Sequence, residues 1–155
     1  MFIPNIYILL IINFFLNFSY SNSIDLTIEI DGSNLPIGEG SIQEGEKIFK
    51  NECSVCHGFS AEGLTAPELA GGSTNLDEEN ISLTVGNYWP FAPKIFDYIR
   101  RSKRSELNKY YNNNEVYSLT GYLLSINGLY NEKKINKDKL SNITMPNLKG
   151  FISNY

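Results

Sequence analysis

Residues 53–57 read Cys53-Ser54-Val55-Cys56-His57, and they hold both cysteines and the single histidine of this 155-residue chain. No other feature limits the fold as sharply. Residues three apart in a helical turn share a face, so the two thiols are presented together and the imidazole follows at once. C-x-x-C-H is the attachment signature of c-type haem. Its thiols reach the two vinyl groups on one porphyrin edge, and its imidazole projects under the ring to bind iron. Three other chemistries use such cysteines. Two exported cysteines can close a disulfide. A thioredoxin-like pair sits in a βαβ context, which this sequence lacks. Zinc needs a further Cys or His, and the chain has none. The expectation is one covalent haem c, with its iron, held by Cys53, Cys56 and His57.

That chemistry belongs outside the cytoplasm, and the first residues agree. An apolar run extends from Ile6 to Phe18, broken by Asn13 and Asn17, and the first basic residue is Lys47. A bilayer span needs about 20 apolar residues, so the run fits the core of a secretory signal. Ser19, Ser21 and Ser23 follow, which places cleavage after Ser21 or Ser23. No Lys or Arg precedes Ile6, so an uncleaved N-terminal anchor stays open as the alternative, and only then would the chain meet a membrane. Residues 1–21 are expected to be the signal peptide or anchor, and the remainder is expected to be periplasmic.

Charge is unevenly spread. Residues 1–90 carry twelve Asp or Glu against two Lys or Arg, a balance of −10; residues 91–155 carry five against eleven, a balance of +6. Such asymmetry favours docking to a charged protein, because steering acts on encounter rate. It does not favour nucleic acid: the pI is about 5.0, and the basic residues lack the aromatic interleaving of a single-strand groove. Hydrophobic residues at 42% and charged residues at 19% suit one domain with a buried core.

Along the chain, residues 22–40 form an extended lead-in. Ile24, Leu26, Ile28 and Ile30 alternate with polar residues, the period of a half-buried strand. Gly32, Pro36, Gly38 and Gly40 then break it. Ser41 and Glu44 form an S-x-x-E capping box. They open a helix whose face is Ile42, Gly45, Ile48 and Phe49 and which runs into Cys53. Residues 58–80 are loop-rich. A second helix is predicted over 91–101, with Phe91, Ile95, Phe96 and Ile99 inward. A third runs from about Asn114 to Asn127 behind an Asn cap, with Val116, Leu119, Tyr122, Leu123 and Ile126 inward and Gly128 as its stop. The core domain is thus 41–130, and 131–155 reads as a C-terminal extension. The fold class is mainly α, wrapped around one central group.

From Gly32 to Ile152 the chain resembles the cytochrome c subunits of the sulfite and sulfane dehydrogenases of bacterial sulfur oxidation. The residues that carry the likeness are Asp31-Gly32 with Leu35-Pro36-Ile37-Gly38-Glu39-Gly40, then Thr84-Val85-Gly86-Asn87-Tyr88-Trp89-Pro90-Phe91-Ala92. Phe96-Asp97-Tyr98-Ile99-Arg100-Arg101, the run from Asn114 to Gly128, and Met145-Pro146-Asn147 complete it. The resemblance implies a class I cytochrome c fold. It also implies an electron-carrying role, not an enzyme's, with a molybdenum dehydrogenase as donor and another cytochrome or an oxidase as acceptor. It points to the carbonyl of Pro67 as the acceptor for the second ring N–H of His57. It suggests that Gly45, Phe49 and Tyr122 mark the crossing of the terminal helices. Trp89, Tyr88, Arg100 or Arg101 would then meet the haem propionates.

The sixth iron ligand departs from that pattern. The family places a Met-Pro pair one residue after its two arginines, and this chain has Lys103 there. Met145 is the favoured replacement, being a soft thioether in a segment free to reach the haem. Lys103 as a neutral amine is the second candidate, and an open iron is the third. An open position motivates the alternative function of a haem sensor or peroxidase-like protein.

Overall fold

The structure is a computed structural model that describes residues 27–72, 79, 81–102 and 110–150. Residues 27–31 do not form the strand that their alternation predicts. Ile28 is buried, but Ile30 is exposed. The Gly32 amide closes a turn on the Glu29 carbonyl. The Asn34 side chain accepts from the Glu29 amide and donates to the Thr27 carbonyl. One asparagine satisfies these backbone groups locally, so the segment turns instead of pairing. Residues 1–26, with the expected signal segment and the start of the strand, lie outside the described residues. So do Lys103 and Arg104.

A short strand β1 (Glu39–Ser41) leads into helix α1 (Ile42–Ile48). Ser41 caps α1 by accepting from the Glu44 amide at 3.1 Å. A π-helical turn, Phe49–Cys53, joins α1 to α2 (Ser54–His57), and its wide bond runs from the Ser54 amide to the Phe49 carbonyl. Helix α3 (Ala92–Arg101) has a proline in its first turn, where no N–H is needed. Helix α4 (Asn113–Ile126) starts one residue earlier than expected, behind a complete capping box of Asn112 and Glu115. Gly128, at φ +71°, lies just beyond the end of α4. Strand β2 (Lys134–Asn136) and helix α5 (Lys137–Ser141) follow. Among the described residues no helix is long and apolar enough to cross a membrane.

The expected crossing of α1 and α4 is present. A Cβ on Gly45 would overlap the Ser118 carbonyl, so only glycine lets these backbones approach so closely. The Phe49 and Tyr122 rings pack beside that point, 5.3 Å between centroids. Phe96 of α3 meets Tyr117 of α4 at 4.6 Å. Residues 131–150 are no loose appendage. β2 pairs antiparallel with β1, Gly40 facing Ile135, and Ile135, Leu140 and Met145 all lie in the core. Burying each such side chain contributes about 1.5–3 kcal/mol, which binds the C-terminal segment to the same core as α1, α3 and α4.

Candidate haem site

The π-helical turn ends on Cys53, and the short α2 helix carries the rest of the motif. Cys53, Cys56 and His57 line one cleft of about 410 Å³, within the usual range for small-molecule and cofactor sites. Both cysteines are free thiols. Burial pushes the Cys53 thiol up to about 11, with the Glu52 carboxylate adding to the effect, while the nearby Tyr111 hydroxyl opposes it. The Tyr111 hydroxyl donates its proton to Glu52 at 3.0 Å.

His57 is held from behind. Its Nδ1 lies 2.7 Å from the Pro67 carbonyl oxygen. A carbonyl only accepts, so Nδ1 carries the proton and Nε2 keeps its lone pair for a metal. The Pro67 expectation is met. The loop that delivers this carbonyl is laced to the motif: Gly63 donates to the His57 carbonyl, and Leu64 and Ala66 to that of Cys56. Further on, Leu69 and Ala70 both donate to the carbonyl of Ala61, a buried residue at φ +63°.

Most of the remaining wall is apolar, with Glu52, Glu68, Ser102 and Tyr111 as polar members. Leu69, Leu83 and Val85 come from loops, Ile95 and Ile99 from α3, and Leu119 and Leu123 from α4, with Trp89 among them. A flat apolar ring, two thiols to bond it and one oriented imidazole to ligate its iron are mutually consistent. The residues present fit haem c.

Other expected contacts fall elsewhere. Met145 does not line the cleft; its side chain, 2% exposed, is packed in the hydrophobic core. Thr144 beside it bridges to Phe91, and Asn147 donates to the Tyr88 carbonyl. The thioether packs as apolar filling in the core. Arg100 and Arg101 are turned to Asp97, at 2.9 and 3.2 Å, and do not line the cleft. Burial raises the Asp97 carboxyl, but the two guanidiniums outweigh it and hold the group below its ordinary value. Trp89 lines the cleft and stacks edge-on with Tyr98 at 5.8 Å; Tyr88 does not line it. Sequence reading missed Glu52 with Tyr111, because nothing local signals a contact between residues 59 apart.

The sequence pattern of the cytochrome c family matches residues 42–127. Over 56 residues the chain is 32% identical to cytochrome c-551 of Bacillus subtilis, covering 36% of this chain and 50% of that one. Over 43 residues it is 37% identical to a cytochrome c-553-like protein of Synechocystis, covering 28% and 41%. It thus spans about half the length of these curated relatives, or less. Among solved structures it is similar to the sulfane dehydrogenase SoxCD from Paracoccus pantotrophus. The TM-score is 0.75 and the identity 30%, over 84% of this chain and 65% of that one.

Proposed function

The chain belongs to the cytochrome c family, and from that premise we propose that Cys53, Cys56 and His57 hold its haem. We further propose that it passes single electrons from a molybdenum sulfite- or sulfane-type dehydrogenase to a downstream cytochrome or oxidase in the periplasm. The cofactor of this family is haem c with its iron, and the role is electron transfer. The observation that carries the residue assignment is the hydrogen bond from His57 Nδ1 to the Pro67 carbonyl. It makes Nε2 the lone-pair nitrogen of the neutral ring, in a residue that lines the same cleft as both thiols. When bound, the haem supplies a one-electron couple. The protein's own contribution is to hold His57 in one tautomer, raise its basicity through the carbonyl, and exclude water with apolar walls. The dehydrogenase partner is supported by the likeness to SoxCD, and export by the apolar run Ile6–Phe18.

A second reading, a haem sensor or peroxidase-like protein with an open sixth position, is favoured by the seating of Met145 in the core and away from the cleft. One preparation tests both. Protein made in a host with cytochrome c maturation should keep its haem stain on a denaturing gel. Cys53→Ser with Cys56→Ser should abolish that stain; a haem-free, folded wild type overturns the assignment. Rapid CO binding by the reduced protein would select the second reading. Reduction by a sulfur-compound dehydrogenase, without CO binding, would select the first.

A further inference from the structure

Asn127 caps the end of α4 and divides its side chain between α4 itself and the loop at Leu69–Gly71. Its Nδ2 donates to the Leu69 carbonyl at 3.0 Å and to the Leu123 carbonyl at 2.8 Å. Its Oδ1 accepts from the Gly71 amide at 3.1 Å. The Leu69 carbonyl also receives the Val85 amide at 3.2 Å, so one asparagine joins the helix end to both loops at a shared oxygen. Leu69, Val85 and Leu123 line the cleft, as does Pro67, two residues before Leu69. Gly86 is pressed against the same group: a Cβ there would run into Asn127 Oδ1.

The Pro67 carbonyl can orient His57 only if the loop carrying it is held at both ends. On the motif side, Leu64 and Ala66 are bound to the Cys56 carbonyl. On the far side, the Leu69–Gly71 stretch is bound to Ala61 and, through Asn127, to the end of α4. We propose that Asn127 is a positioning residue for the iron's histidine: it fixes the Pro67 carbonyl against His57 Nδ1 and so sets how strongly the imidazole donates to the metal. This rests on His57 being the ligand. A firm Nδ1–H···O=C bond makes the imidazole a stronger donor and favours ferric iron. Loosening the carbonyl therefore raises the reduction potential and lets the Nδ1 proton exchange with solvent.

The test uses the covalently loaded holoprotein. Asn127→Asp keeps the shape and the acceptor for Gly71 but cannot donate to Leu69; Asn127→Ala removes every bond. The control is Asn142→Ala. Asn142 ends α5, donating to the Asp138 carbonyl at 2.7 Å, and does not line the cleft. Haem staining comes first: its absence from the wild type refutes the haem assignment itself and not merely the role of Asn127. In stained protein, Asn127→Ala should show a more positive potential, and both Asn127 variants should show faster exchange of the His57 Nδ1 proton by NMR; the added carboxylate charge of Asn127→Asp itself lowers the potential, so that variant is read by proton exchange. Asn142→Ala should lower the melting temperature without either change. If Asn127→Ala yields too little holoprotein, the proton exchange of the isosteric aspartate decides. Asn127 variants that melt earlier but keep the wild-type potential and proton exchange overturn the proposal.

Discussion

Two stretches build most of the cleft, and they are held by different forces. Residues 53–72 bury almost no large side chain. Apart from Ala61 their apolar groups are at best half-buried, and Val55, Phe59 and Leu64 are exposed. What keeps them in place is a run of backbone bonds onto Cys56, His57 and Ala61. Residues 83–102 have few such loop bonds but sink Val85, Ala92, Ile95 and Phe96 into the core. The first stretch must place single atoms, a carbonyl against an imidazole, and directional bonds do that. The second must offer a smooth apolar wall, and non-directional burial suffices.

The contrast can be broken by substitution. Phe96 is fully buried against Tyr117, so Phe96→Ala should cost about 3–5 kcal/mol of stability in denaturant unfolding. A loss under 1 kcal/mol would show that this wall is not held by burial. Asp97 is the charged residue buried in the same stretch, where the neutral Thr84 and Asn87 are buried too. Its carboxyl is held low, so it stabilises the fold above the ordinary carboxylate range, near pH 3.9. That contribution fades as pH falls through the lower folded value. Asp97→Asn should therefore cost about 1.5 kcal/mol at pH 7, and the gap to wild type should close on acidification; a gap constant down to pH 2 would contradict this. The smallest effect is expected in the hydrogen-bonded stretch. Ala61→Gly removes a buried methyl, worth about 0.8 kcal/mol, but relieves a left-handed backbone costing roughly 1–2 kcal/mol. Glycine's extra chain freedom costs roughly 0.5–1 kcal/mol in return, so the variant should unfold within about 0.8 kcal/mol of wild type. A loss above 2 kcal/mol would mean that burial governs this loop as well.

Much of this was legible in the residue order, where the signal was local. The motif declares its own spacing, and α3 and α4 show their faces at helical period. The Ser41 and Asn112 caps sit beside the groups they satisfy. Less legible was whatever depended on a distant choice. The alternation around Ile28 predicted a strand, but Asn34, a few residues on, supplies the hydrogen bonds that a partner strand would have given. β1 and β2 are three residues each, too short to show a period. A methionine in an apolar segment reads the same whether it fills a core or meets a metal, and Met145 fills the core. The arginines were visible as charge, but not that Asp97 engages both.

The pairing of β1 with β2 also bears on the order of events in time. The strand beside the haem motif finds its partner only at residues 134–136, more than ninety positions later. A chain threaded from its N-terminus across a membrane cannot make that pair until nearly all of it has emerged, and closing so long a loop is slow. During that interval Gly40 has no neighbour strand, and the core lacks Ile135 and Leu140. Until the end of the chain arrives, the core that backs the helices around Cys53 is therefore incomplete.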